Sequence, residues 1–389
     1  MQQNVTAHLF DILMQEYASR TGLEPLSEKP HRYLWTDAFA VCNYLGRYRK
    51  ERDEADLEMA LRLIDQVHSV LGQFHPDDPR SGWISGLDKE EGSKRPTAGG
   101  LRIGKPLLER GADEPYDPEL EWERDGQYYH YLTKWMHALA QAGRVTGEIH
   151  FIEMGVDLAR AAHSAFVHAP YRGQRKRLYW KMSVDLSRPL VPSMGQHDAL
   201  DGYLTFVELQ AAGEAIRPGA RKQLVAEISE LALMYRGGNW ETDDPLGIGG
   251  LLMDASRMAQ LMREGAVTDS SMLGNILRAA LPGLEMTSSS GLLDRPAERR
   301  LAFRELGMAI GLKGVSLIRE SLINQAELYG NTANMRLVQE LMRYLPMSER
   351  IETFWSLQES RRSATWEAHQ DISDVMLATC IEPQGFLRF

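Results

Sequence analysis

Three short stretches set a carboxylate beside an aromatic or imidazole ring. They are "LWTDAF" (Trp35, Asp37), "EWERDGQYYHY" (Trp122, Asp125, Tyr128, His130) and "GQHDALDGY" (His197, Asp198, Asp201, Tyr203). Each falls where a helical pattern begins. Carboxyl groups on separate helices can supply the acid and the base or nucleophile that cleavage of a glycosidic bond requires. Indole and phenol rings stack on the C–H faces of sugars, while carboxylates and imidazoles hydrogen-bond their hydroxyls. The candidate catalytic residues are therefore Asp37, Asp125, Asp201 and His197. Trp35, Trp83, Tyr128, His130, Lys134 and Trp180 are the candidate substrate contacts. Asp and Thr at helix starts are also ordinary N-caps, worth about 1 kcal/mol each, and an acid in the first turn suits the helix dipole. Capping is the more ordinary reading for any one of Asp37, Asp125 or Asp198, and the repetition of acid and ring at three helix starts strengthens the case for a shared site.

On the helix expected over 125–147, Tyr128, Tyr131, Leu132, Trp135 and Leu139 share one face. His130, Lys134 and His137 share another, either a polar pocket wall or a solvated face. No His-Glu-x-x-His pair or cysteine knuckle occurs, so no metal is expected. A Gly-x-Ser-x-Gly elbow, a P-loop and a dinucleotide fingerprint are missing too, and no cofactor is expected. "GGLRIG" (99–104) lacks the strand–turn–helix setting of a phosphate loop.

The elements that must position these groups are helices. In "EADLEMALRLIDQVHSVLGQF" (54–74), Leu57, Leu61, Ile64, Val67 and Leu71 make one apolar stripe. The preceding segment, Phe39 to Leu45, is apolar on most sides and reads as buried. A buried helix followed by an amphipathic one recurs at 125–147 and 148–168, at 197–213 and 221–238, and at 245–262 and 268–281. The spacing is too irregular for a solenoid. Hairpins that bury their first members against one another close instead into an all-α (α/α)6 toroid, a single domain over 1–389. The first members would line its hollow, with their N-terminal ends at one mouth. Residues 74–124 break the helical pattern with mixed Gly, Pro and charge, and form a long loop insertion of the kind that is often functional. "SGWISGL" and "GGLRIG" suit a small β-hairpin there. A second long connection, 179–202, also leads into an inner helix.

Composition narrows the function classes. The 389 residues are 43% hydrophobic with eight Trp and fourteen Tyr, which suits a packed core. Net charge is −10, so nucleic acid is not an expected partner. The basic run "YRGQRKR" (171–177) reads as a solvated helix end or loop. No apolar run reaches eighteen residues, so no membrane span is expected. Two cysteines inside apolar helical patterns and an N-terminus without a signal-peptide pattern suggest a cytoplasmic protein.

The helical pattern resembles the six-hairpin glycosidase-like superfamily of α/α toroids. Trp35-Thr36-Asp37-Ala38-Phe39 is similar to the Trp-x-Asp-x-hydrophobic stretch of the unsaturated glucuronyl and rhamnogalacturonyl hydrolases. The resemblance implies a catalytic-acid role for Asp37, although the family's stretch lies mid-chain and this one opens the first buried helix. The sugar 2-epimerases share the architecture and use His as acid and base; no stretch here matches their His motifs, and His130 and His197 are the analogous candidates. The leading expectation is a glycoside hydrolase acting on an oligosaccharide or smaller sugar. The alternatives are a sugar epimerase or isomerase, and a non-catalytic helical scaffold or binding protein. The last of these expects the inner-helix acids to be ion-paired to Arg or Lys.

Overall fold

A computed structural model of the protein describes residues 2–169, 171, 174–219, 223–323 and 332–389. Arg172 and Gly173 of the basic run, and the first two residues of the helix expected over 221–238, lie outside the described residues. The chain divides into two compact units, Ala18–Gly238 and Met1–Tyr17 with Asn239–Phe389. Among the described residues, no helix is long and apolar enough to cross a membrane.

Helix α1 (Gln2–Thr21) is followed by α2 (Leu34–Glu51) and α3 (Glu54–Leu71). Every residue of α2 from Leu34 to Leu45 is buried, whereas α3 buries one stripe, Ala60, Leu63, Ile64, Val67 and Leu71. Arg52 takes a left-handed conformation that ends α2, and the Asp53 side chain then caps α3 by accepting from the Ala55 N–H. After the short helices α4 (Lys89–Lys94) and α5 (Pro118–Glu123), strand β1 (Gln127–Tyr128) runs directly into α6 (Tyr129–Thr146). Gly147, at φ 75, closes α6 and opens α7 (Ile149–Phe166). Four short strands follow: β2 (Val167–His168), β3 (Arg177–Leu178), β4 (Lys181–Met182) and β5 (Pro189–Val191). Helices α8 (Asp198–Ile216) and α9 (Val225–Tyr235) complete the unit. Helix α2 packs against α6 and α6 against α8, while α3, α7 and α9 each pack against the helix before them. That is the expected alternation of inner and outer helices.

The small strands fall elsewhere than expected. Two antiparallel sheets form, β1-β4-β5 and β2-β3, and the β4-β5 hairpin belongs to the 179–202 connection rather than to 74–124. Around residues 102–103 the insertion bonds the end of α3, the start of α2 and the corner before β1. The Arg102 N–H donates to the Leu71 carbonyl at 2.9 Å, that of Ile103 to Gly126 at 2.9 Å, and that of Leu34 to Ile103 at 3.0 Å. Gly126 turns this corner at φ 148, where a Cβ would lie 2.8 Å from the Met182 carbonyl oxygen.

In the other unit come α10 (Pro245–Arg263), α11 (Ser270–Ser289), α12 (Ala302–Ile323), α13 (Thr332–Leu341), α14 (Leu345–Ser356), α15 (Ala364–Glu367), α16 (Gln370–Ile381) and α17 (Gln384–Leu387). Helices α10 and α12 are buried on most sides and pack closely, because Gly249, Gly307 and Gly311 leave no Cβ between their backbones. Helix α11 packs on α10, and α14 and α16 pack on α12. Cys42 and Cys380 are both buried free thiols.

Candidate functional site

All the candidate site residues belong to the unit Ala18–Gly238. Their gathering point is the start of α8 against the first turns of α6. Asp201 is 5% exposed, and its Oδ2 lies 2.8 Å from Lys134 Nζ and accepts from the Thr133 hydroxyl. Thr205 adds a longer bond to Oδ1 at 3.4 Å. An ammonium and a hydroxyl donor thus meet on one carboxylate. One turn earlier, Asp198 Oδ2 accepts from the Gly195 N–H at 2.9 Å. Burial first, and then the charge of Asp201, push the Asp198 carboxyl up to about 7, against the Gly195 bond and Lys134. Two acids at i and i+3 on one helix face thus sit in opposed environments.

His130 stands beside them. Burial, with Lys134 adding to it, depresses its imidazole to about 4, so the ring is neutral at pH 7. Its Nδ1 is buried with no hydrogen-bond partner among the described residues, and the Tyr129 hydroxyl shares that condition. Buried polar atoms normally find partners, and leaving one unmatched costs about 1–3 kcal/mol.

Aromatic rings continue this surface. Tyr128 lies 5.6 Å from Trp180, 5.5 Å from His130 and 5.2 Å from Tyr131, centroid to centroid. The Trp180 ring is nearly parallel to His130 at 6.1 Å and meets Trp122 edge-on at 5.0 Å. Trp122, on α5, is half exposed. Tyr33 and Tyr131 share a 2.6 Å hydroxyl–hydroxyl bond. Lys181 is wholly buried under the wall, donating to the Glu121 and Arg124 carbonyls at 2.7 and 2.8 Å with its Nζ 5.3 Å from the Tyr128 ring.

The structure therefore brings together Asp201, Lys134, His130, Tyr128 and Trp180, and adds Asp198, Tyr129, Thr133, Tyr131 and Trp122. Asp37, 1% exposed, is held beside Tyr33. Its Oδ2 accepts from the Tyr33 N–H at 3.1 Å, and Arg32 lies 3.8 Å from Oδ1. Asp125 is not on a helix but precedes β1. Its Oδ1 accepts from the N–H groups of Gly104 and Gly126, at 3.1 and 3.0 Å, and its Oδ2 takes the Arg102 guanidinium. Trp35 is buried against Phe39 at 4.5 Å. Trp83 packs over Gly92 in the insertion. His197 is the residue before α8, and its carbonyl receives the N–H groups of Leu200 and Asp201 at 3.0 Å each. The i, i+3 spacing of Asp198 and Asp201 was the available sign of their pairing. Nothing local marked Lys181 or Tyr129. Among the described residues, no cluster of His, Cys, Asp and Glu is placed to hold a metal ion.

No protein-family model matches this sequence, and no curated protein matches it either. Solved structures with similar chains include a selenomethionine derivative of the GH76 α-mannanase of Bacteroides thetaiotaomicron. It is 11% identical, with 96% of each chain covered and a TM-score of 0.50. The chain shares the fold of this α-mannanase, in the all-α class expected from the sequence. A sugar epimerase from a ruminal bacterium is 9% identical over 91% of this chain and 89% of that one, at a TM-score of 0.47. Cellobiose 2-epimerase from Bacillus thermoamylovorans is 10% identical over 81% and 76%, at 0.43. At 11% identity the likeness to the α-mannanase is one of fold alone.

Proposed function

We propose that the protein is a carbohydrate-active enzyme, a glycoside hydrolase that uses the paired carboxylates at the start of α8. The observation that carries this reading is the opposed setting of Asp198 and Asp201. Pairs of acids whose surroundings push their proton affinities apart are what acid–base chemistry requires. Asp198, holding its proton up to about pH 7, is the group to protonate the leaving oxygen. Asp201, set against Lys134, is the carboxylate to act as base or nucleophile. Trp180, Tyr128 and Trp122 offer the stacking surface for a sugar ring. In this reading Asp37 and Asp125, held by backbone N–H groups and arginines, support the chain around the site.

The α-mannanase that shares the fold makes α-mannan oligosaccharides the first substrates to test, within a wider oligosaccharide screen. On a sugar that is cleaved, Asp198→Asn and Asp201→Asn are each expected to lower kcat/KM by about 100-fold or more. Wild-type turnover by both variants would overturn the assignment.

A second reading is favoured by His130, whose neutral imidazole with an unmatched Nδ1 suits a base. A sugar epimerase or isomerase using it would wash deuterium from heavy water into a free sugar, and His130→Ala would abolish that exchange. Hydrolysis without exchange removes this reading. The scaffold reading is favoured by the ion pairs of Asp37, Asp125 and Asp201. Any sugar turnover lost in Asp201→Asn would dismiss it.

A further inference from the structure

A pocket of about 320 Å³ opens in the other unit, where α10 and α12 begin and α11 ends. Its volume is at the small end of the range for ligand sites, and none of its lining belongs to the cluster at α6 and α8. Three acids, Asp243, Asp244 and Glu305, and three arginines, Arg299, Arg300 and Arg304, face it.

The inner pair is rigid. Glu305 is 2% exposed, takes Nε and Nη2 of Arg300 at 2.6–3.1 Å, and accepts from Trp355 Nε1 at 2.9 Å. The Arg300 guanidinium also donates to the Leu293 carbonyl at 3.1 Å and lies 3.7 Å from the Phe354 ring centroid. The rim pair is open. Arg304 Nη1 meets Asp244 Oδ1 at 2.8 Å with both side chains more than a third exposed. Met286, Leu292 and Leu301 supply an apolar side.

A bound anion would face three carboxylates, and a bound cation three guanidiniums, so the lining favours neither sign. A hydroxyl suits it, because one group can donate to a carboxylate and accept from the neighbouring guanidinium. Vicinal hydroxyls across the Arg304–Asp244 pair would use both partners, with the C–H face of the ring against the apolar side. We propose that this pocket binds a neutral saccharide ring, held by the Arg304–Asp244 pair, as a site separate from the candidate acids Asp198 and Asp201.

Met286 provides the probe. In protein labelled with 13C at the methionine methyls, the Met286 resonance is assigned by Met286→Leu and followed on titration with methyl α-mannoside and methyl β-glucoside. A saturable shift with at least one neutral glycoside is expected. Glucuronate and glucosamine should bind at least fivefold more weakly than that glycoside. Arg304→Ala should weaken its binding at least tenfold, and Asp201→Asn should leave it unchanged. No shift with either neutral glycoside, tighter binding of either charged sugar, or an unaffected Arg304→Ala protein would overturn the proposal. Loss of the shift in Asp201→Asn would overturn it as well. Because this measurement reads binding at Met286 and not turnover, its outcome is independent of whether the acids on α8 prove catalytic.

Discussion

In the folded protein Asp198 keeps its proton to about pH 7, against 3.8 for an ordinary aspartate, because it is buried and faces Asp201. The unfolded chain releases that proton at lower pH. The stabilisation tied to it is therefore complete below about pH 4 and is lost as the pH rises towards 7, by at most ~4 kcal/mol. Urea unfolding between pH 4 and 8 should show a flatter pH dependence for Asp198→Asn than for wild type, and parallel curves would contradict the burial argument. The same proton sets activity in the hydrolase reading, with kcat/KM falling about tenfold per pH unit above 7. For His68 and His130 the sign reverses. Burial lowers them to about 3 and about 4, so the unfolded chain gains the proton first and stability is lost as the pH falls below about 6.5. At this scale the sequence showed that acids and rings cluster at helix starts. It did not show which acids are spent on backbone N–H groups, because the donors to Asp125 come from residues 102, 104 and 126.

The elements were legible where periodicity is strong. Helices α3 and α7 begin and end within a few residues of their apolar patterns. The start of α6 was misplaced, since a helix was expected from residue 125 and begins at Tyr129. The reason is tertiary: Asp125 and Gly126 bond the 101–104 segment, and 127–128 join a sheet with 181–182. Such pairings leave no local pattern. Asp125→Asn should leave Arg102 buried opposite an uncharged amide, at a cost of about 3–5 kcal/mol. The expected sign is a lower urea midpoint with an unchanged m-value. A variant as stable as wild type would show that the pair is not what fastens the insertion to β1.

For the whole molecule, the alternation of buried and amphipathic helices was enough to indicate the fold, which an α-mannanase shares at 11% identity. The binary pattern survives where individual residues do not, because packing asks mainly for apolar character and volume. The single-domain expectation stands as a proposal beside the two compact units. Trp35, Trp83, Trp122, Trp135 and Trp180 report on one unit, and Trp240, Trp355 and Trp366 on the other. Coincident urea transitions by tryptophan fluorescence and far-UV circular dichroism are expected for one cooperative domain. Two resolved steps would make the units separate folding bodies.

Gly202 lies on α8 with the two acids, and the Tyr129 hydroxyl at the start of α6 occupies the volume that a Cβ there would need. Gly195 likewise leaves room for the Asp198 carboxylate. A methyl at either place has nowhere to go, since Tyr129 is fully enclosed and Asp198 nearly so. The close approach of α8 to Tyr129 at the start of α6 thus depends on a missing carbon, and alanine at 202 would press directly on the Tyr129 ring. In the hydrolase reading, the setting of those acids depends on a residue with no chemistry of its own.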